Sequence, residues 1–300
     1  MDYSIQHATL VDRTCAWIAD RIERLVESAD DARRGGLADL VTTGYPEVRL
    51  SDVTLAPATR AQLERVLHEQ RQRDRIESHG FVPLHRLLFT GPAGTGRSMT
   101  ASALAAELSL ALVTIRIEAL ISKYTGETAP KLRVVFDAMA HARTVCLFDD
   151  LDAIEARQTA GYGFDVIDAR RILDMFLSFL HDTQPKSVIV AVTDHRSVLD
   201  DALLRRFDTT IAFAVPDAAQ ALDLLRRRLA AVNTSAVSWE EVANHVKGLS
   251  QAGLVSAAES AAKRAILSNS DSVSTAALVT SLGELRRIHH ALGFGPTLTR

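Results

Sequence analysis

"GPAGTGRSMT", residues 91–100, is the stretch on which the fold turns. Gly91, Gly96 and Ser98 match the pattern Gly-x-x-x-x-Gly-Lys-Ser/Thr, and only Arg97 departs from it, standing where lysine is expected. Such a loop works because glycine lets the backbone curl its N–H groups around a phosphate. The helix that follows turns its positive end on the same anion. Both flanks fit this role: "LHRLLFTG" reads as a buried strand, and residues from about 97 to 108 read as a helix. The candidate phosphate contacts are Gly91, Pro92, Ala93, Gly94, Thr95, Gly96, Arg97, Ser98 and Met99, with the Ser98 hydroxyl also a ligand for a divalent cation.

Working outward, short apolar runs alternate with helical segments. "LALVTIRI", "TVCLFDD", "SVIVAVTD" and "TTIAFAVP" read as further strands, separated by helices around "APKLRVVFDAMAHA", "ARRILDMFLSFLHD" and "LDDALLRR". Strands of this kind, apolar on both faces and alternating with helices, predict a five-strand parallel sheet covered on both sides. Upstream, residues 8–33 read as a helix, "TTGYPEVRLSD" as a connector, and Pro57 to Ser78 as one charged helix. Downstream of Pro216 the chain reads as helical, with a last helix near 275–291.

Composition bounds the rest. With 47% hydrophobic and 24% charged residues in 300, the chain has enough apolar surface to fold as a globular protein. A net charge of −3 gives no general pull toward nucleic acid. Two cysteines, Cys15 and Cys146, are too few for a four-ligand metal cage and read as reduced thiols. The N-terminus carries acids and lacks a long apolar core, and no run of about 18 apolar residues occurs, so a cytoplasmic location without a membrane span is expected.

Two acidic strand ends carry the next signals. "VCLFDDLDAI" ends a strand in Asp149, placed to order Mg²⁺, followed by Asp150, placed to polarise a water. "VIVAVTD" ends in Asp194, and "LDDALLRRFD" offers Arg205 and Arg206. Taken together, these stretches resemble the AAA+ ATPases, in the branch with a second region of homology, over roughly residues 50 to 270. "GPAGTGRS" is similar to the Walker A motif, "CLFDDLDAI" to Walker B, "VIVAVTD" to sensor 1 and "LDDALLRRFD" to the arginine-finger box. "GLSQAGLVSAAESAAKRAIL" resembles the lid helix near sensor 2, with no sensor-2 arginine evident.

"ALISKYTGETAPKLRVVFD" resembles the family's first pore loop, in which Tyr124, flanked by Lys123 and Gly126, grips an unfolded polypeptide. At finer grain the chain resembles small single-ring bacterial members, which often lie beside a subtilisin-like peptidase gene. The resemblance implies a P-loop NTPase fold in three parts: a helical extension (1–48), an α/β nucleotide-binding domain (49–217) and a C-terminal helical lid (218–300). It also implies ATP and Mg²⁺ as ligands, a ring, taken as a hexamer, and a protein substrate or a peptidase partner. In that ring Arg205 and Arg206 serve the next subunit's ATP, with Asp150 and Asp194 completing the catalytic set.

Three departures cluster at the chemistry. The family has Lys, Glu and Asn where this chain has Arg97, Asp150 and Asp194. Arginine is bulkier than the lysine point charge it replaces. Asp150 sets its carboxylate back by roughly 1 Å, a misplacement that can cost about 10²-fold in rate. Asp194 brings an anion toward the phosphates and repels ATP unless it is protonated or paired. Two functions follow: a slowed ATPase that remodels or threads protein, or a nucleotide-holding scaffold without turnover that gates a partner.

Overall fold

The computed structural model describes residues 41–116, 136, 143–149, 151, 175–180, 186–194, 201–270 and 272–291. The expected N-terminal helix, Asp150, Cys15 and the pore-loop residues Lys123, Tyr124 and Gly126 lie outside them. The chain divides into two compact units. One contains Pro57–Gly91 and Arg97–Ala212, and the other contains Thr54–Ala56, Pro92–Gly96 and the chain from Phe213 onward.

Among the described residues the first unit is built on six strands: β1 (Val41–Gly44), β2 (Arg86–Thr90), β3 (Leu112–Arg116), β4 (Val145–Asp149), β5 (Val188–Thr193) and β6 (Thr209–Ala212). Their order is β1-β3-β4-β5-β2-β6. All five expected strands are present and parallel to one another. The sheet has one strand more than the expected five. β1 adds to the edge antiparallel to β3, with Val41 opposite Ile115 and Gly44 opposite Leu112. It lies partly in the stretch read as a connector, and its half-exposed Val-Thr-Thr-Gly lacks the apolar run that marks the buried strands.

Along β2, Leu87, Leu88 and Phe89 are all fully buried, so both faces of the sheet are covered. On one face Leu88, Ile115, Phe148 and Ile189 meet Phe136, Phe176 and Phe179. Phe136 stacks on Phe179 with ring centroids 3.9 Å apart. Helices α1 (Pro57–Arg71), α2 (Arg73–Ser78) and α3 (Arg97–Glu107) flank the sheet strands in sequence, and α3 packs on β4 and β5. The helix expected to run unbroken from Pro57 to Ser78 is two helices meeting at Gln72, where no glycine or proline announces the break. Cys146 on β4 is a free thiol, buried among these side chains, and burial pushes its pKa up to about 12. It therefore stays protonated and chemically quiet.

A short helix, α4 (Asp201–Leu204), leads into β6. The second unit is helical. α5 (Ala218–Arg228), α6 (Trp239–Ala243), α7 (Gln251–Leu267) and α8 (Thr275–Ala291) bury Leu225, Val242, Leu254, Ala258 and Leu278 in one core. Asp217, Ser238 and Ser250 cap α5, α6 and α7 through side-chain oxygens that accept backbone N–H groups. Among the described residues no helix is long and apolar enough to cross a membrane.

Asp208 locks β6 to β2. Its carboxylate accepts the N–H groups of His85 and Arg86 at 2.9 Å each and pairs with the Arg86 guanidinium at 2.8 Å, while its own N–H donates to Arg86 O at 2.8 Å. Burial by itself would raise its pKa. The hydrogen bonds from His85 and Arg86, with the charge of His85, outweigh burial and hold the carboxyl far below the usual range. A depressed folded-state pKa gives stability that is present above the unfolded value of about 3.9 and lost as pH falls below it. Asp208→Asn should therefore cost about 1.5–3 kcal/mol at neutral pH. In denaturant melts, its deficit against wild type should stay constant down to about pH 5 and shrink below about pH 4.

Candidate functional site

Residues 91–96 join β2 directly to α3, as the phosphate-loop reading requires. Gly91 N–H donates to Thr193 O at 3.3 Å, fixing the loop's first residue to the end of β5. Gly94 and Gly96 take φ of +73° and +92°, a region closed to side chains without strain. Thr95 closes the turn by donating from Oγ1 to Pro92 O at 2.8 Å. Pro92, Ala93 and Met99 are exposed, whereas Thr95 and Arg97 are buried.

Within the second unit, the loop is held by the first turn of α7. Ala252 N–H donates to Gly94 O at 3.0 Å, and the buried Gln251 donates from Nε2 to Thr95 O at 2.9 Å and Thr54 O at 2.5 Å. A Cβ on Gly94 would stand 2.8 Å from Ser250 Oγ and 3.0 Å from Ala252 Cβ. Sequence reasoning did not single out Gln251. Ser250 before an apolar run marks a helix start, but nothing local says that the next side chain reaches a loop more than 150 residues away.

Within the first unit, two adjacent residues on α3 each meet a carboxylate at the end of a neighbouring strand. Ser98 donates from Oγ to Asp149 Oδ1 at 3.1 Å, at the end of β4. Arg97, only 7% exposed, forms an ion pair through Nη2 with Asp194, which directly follows β5. Two of the three departures, Arg97 and Asp194, thus touch each other. The other terminal nitrogen, Arg97 Nη1, is buried without a hydrogen-bond partner among the described residues. A buried, unsatisfied guanidinium donor is costly, so it marks a position suited to an anion's oxygen. Within the first unit the set fits a magnesium–nucleotide: Gly91 and Arg97 for phosphate, and Ser98 with Asp149 as oxygen ligands for a metal that also takes ligands from phosphate.

Arg205 and Arg206 lie elsewhere. They precede Asp208, which is bonded to Arg86 at the start of β2, whereas the phosphate loop leaves the other end of that strand. At about 3.3 Å per residue, the length of β2 separates the two ends by roughly 13 Å. Arg205 is exposed and Arg206 partly so, and neither side chain has an ion-pair partner among the described residues.

Comparison with known proteins bears on the family and the fold. Residues 87–215 match the family model described as "ATPase family associated with various cellular activities (AAA)". The chain belongs to the AAA+ ATPases through this domain. It is 36% identical over 183 residues to the uncharacterized AAA family ATPase y4kL of Sinorhizobium fredii, a match covering 61% of this chain and 54% of that one. It is 31% identical over 237 residues to the ATP-dependent zinc metalloprotease FtsH of Acidothermus cellulolyticus, covering 75% and 35%. It is 31% identical over 185 residues to a proteasome-activating nucleotidase of Methanococcus maripaludis, covering 60% and 45%. The matched region spans about a third to a half of the length of these relatives. The crystal structure of the FIGL-1 AAA domain superposes with a TM-score of 0.68 at 18% identity, covering 89% of this chain and 95% of that one, which is a likeness of fold.

Gly94→Ala tests the loop. The substitution combines a left-handed φ, which costs about 1–2 kcal/mol for a side chain, with the short contact to Ser250. A lowered melting temperature without nucleotide is expected, together with loss of nucleotide binding by titration.

Proposed function

We propose that the chain binds ATP with Mg²⁺ and hydrolyses it, slowly, as a subunit of a ring, taken as a hexamer, that remodels or threads a protein substrate. The observation that carries this reading is the contact of Ser98 with Asp149, on α3 immediately after the glycine loop. In this proposal Gly91 to Gly96, Arg97, Ser98 and Met99 surround the phosphates, and Ser98 and Asp149 hold Mg²⁺. The metal would neutralise phosphate charge and orient the phosphates. Asp150 positions the attacking water, and Lys123, Tyr124 and Gly126 grip polypeptide. Residues 1–48 form an extension that selects a partner, 49–217 the nucleotide-binding domain and 218–300 a lid.

A protein substrate is supported by two relatives whose names place them in proteolysis, the metalloprotease FtsH and the proteasome-activating nucleotidase. A peptidase partner and a cytoplasmic location are part of the proposal. One observation favours a second reading, a nucleotide-holding scaffold: Arg97, the cation of the loop, is already engaged by Asp194.

Arg205 and Arg206 belong to the proposal as groups offered across a subunit boundary, supported by their exposure and by their place away from the chain's own phosphate loop. Arginines supplied this way contribute about 10³–10⁵ in turnover. Arg205→Ala/Arg206→Ala should bind ATP like wild type and lose at least about 10³-fold in phosphate release. Mixing it with an Asp149→Asn variant should restore part of the rate, because some intact sites then face intact arginines. Mixed rings that assemble, bind ATP and stay as inactive as either variant alone would refute action across subunits.

A further inference from the structure

Arg97 and Asp194 differ in how deeply each is buried. The arginine side chain is 8% exposed and that of Asp194 is 29% exposed. The guanidinium is therefore the buried member, and the carboxylate is the member that solvent and solutes can reach. The buried member still has a donor without a partner among the described residues, Nη1. A buried cation needs a counter-charge, and Asp194 supplies one. Carboxylate and phosphate each offer the guanidinium a pair of oxygens that can accept two parallel N–H groups.

From this geometry we propose that Asp194 is a stand-in for phosphate. It occupies Arg97 when no nucleotide is present, and ATP binds by taking the guanidinium from it. Arg97 and Asp194 then set the affinity for nucleotide as one unit, which makes Asp194 an affinity-determining residue that acts through Arg97. The inference rests on the reading of residues 91–98 as an ATP site. Its physical content is a conformational cost: if Arg97 is free of Asp194 in only a fraction of molecules, the apparent dissociation constant is weakened by that fraction. The stand-in also explains how a buried arginine is tolerated in the phosphate loop of the empty protein.

The test uses the full chain as wild type, Asp194→Asn and Arg97→Lys/Asp194→Asn. ATP affinity is measured by equilibrium titration with Mg²⁺, and thermal unfolding is measured without nucleotide. Asparagine keeps the shape of the side chain and removes its charge. Asp194→Asn is expected to bind ATP at least about tenfold more tightly than wild type, with a smaller gain for ADP, which carries less negative charge. The same variant should melt at a lower temperature when empty, because Arg97 has lost its counter-ion. A residue that merely supports the fold would not weaken the empty protein and strengthen binding together. The double variant removes the unpaired guanidinium. It should also bind more tightly than wild type, so it carries the test if the single variant unfolds. ATP affinity within twofold of wild type, or weaker, in the folded variants overturns the stand-in and leaves the ATP site standing. If neither wild type nor the variants bind ATP, the site and the stand-in fall together.

Discussion

β2 and β5 pair in parallel with Leu88 opposite Ala191 and Thr90 opposite Thr193, and everything at the site follows from that register. It brings Gly91, the first loop residue, to the last carbonyl of β5. It sets Asp194 one residue beyond, where Arg97 meets it. β4 pairs with β5 on the other side, Phe148 opposite Ala191, so Asp149 falls level with the same end of the sheet and meets Ser98. Slipping either pairing by one residue would turn the buried faces of Leu88 and Phe148 away from the aromatic cluster, so hydrophobic burial itself enforces the position of the two carboxylates.

The parts of this arrangement that were legible in the sequence are those with a local signature. Glycine spacing and a following hydroxyl mark the loop, and apolar runs of four to six residues mark each buried strand. β1 was not legible, because an edge strand with one covered face and a Thr-Thr centre carries too little apolar signal. The break at Gln72 was equally silent. The least legible features are long-range: the Arg97–Asp194 pair spans 97 residues, and the reach of Gln251 to Thr95 spans 156. The sequence showed two unusual charges, but only the fold shows that they meet.

That meeting changes how the departures are understood. Taken singly, an arginine in the loop is too large and an aspartate beside phosphate is repulsive. Taken together, they offset one another's charge through the ion pair. Ser98 and Asp149, which do not depart from the expected pattern, meet through a hydrogen bond. The sheet that positions these residues belongs to a fold shared with the FIGL-1 AAA domain.

The central claim is that these residues still support ATP turnover in an assembled ring. The most direct measurement is phosphate release per subunit at saturating ATP and Mg²⁺ as protein concentration is raised through the range of assembly. The account predicts a rate that climbs with assembly to a plateau below the usual value of about 10 s⁻¹. A protein that assembles and binds ATP yet releases no phosphate at any concentration would contradict it.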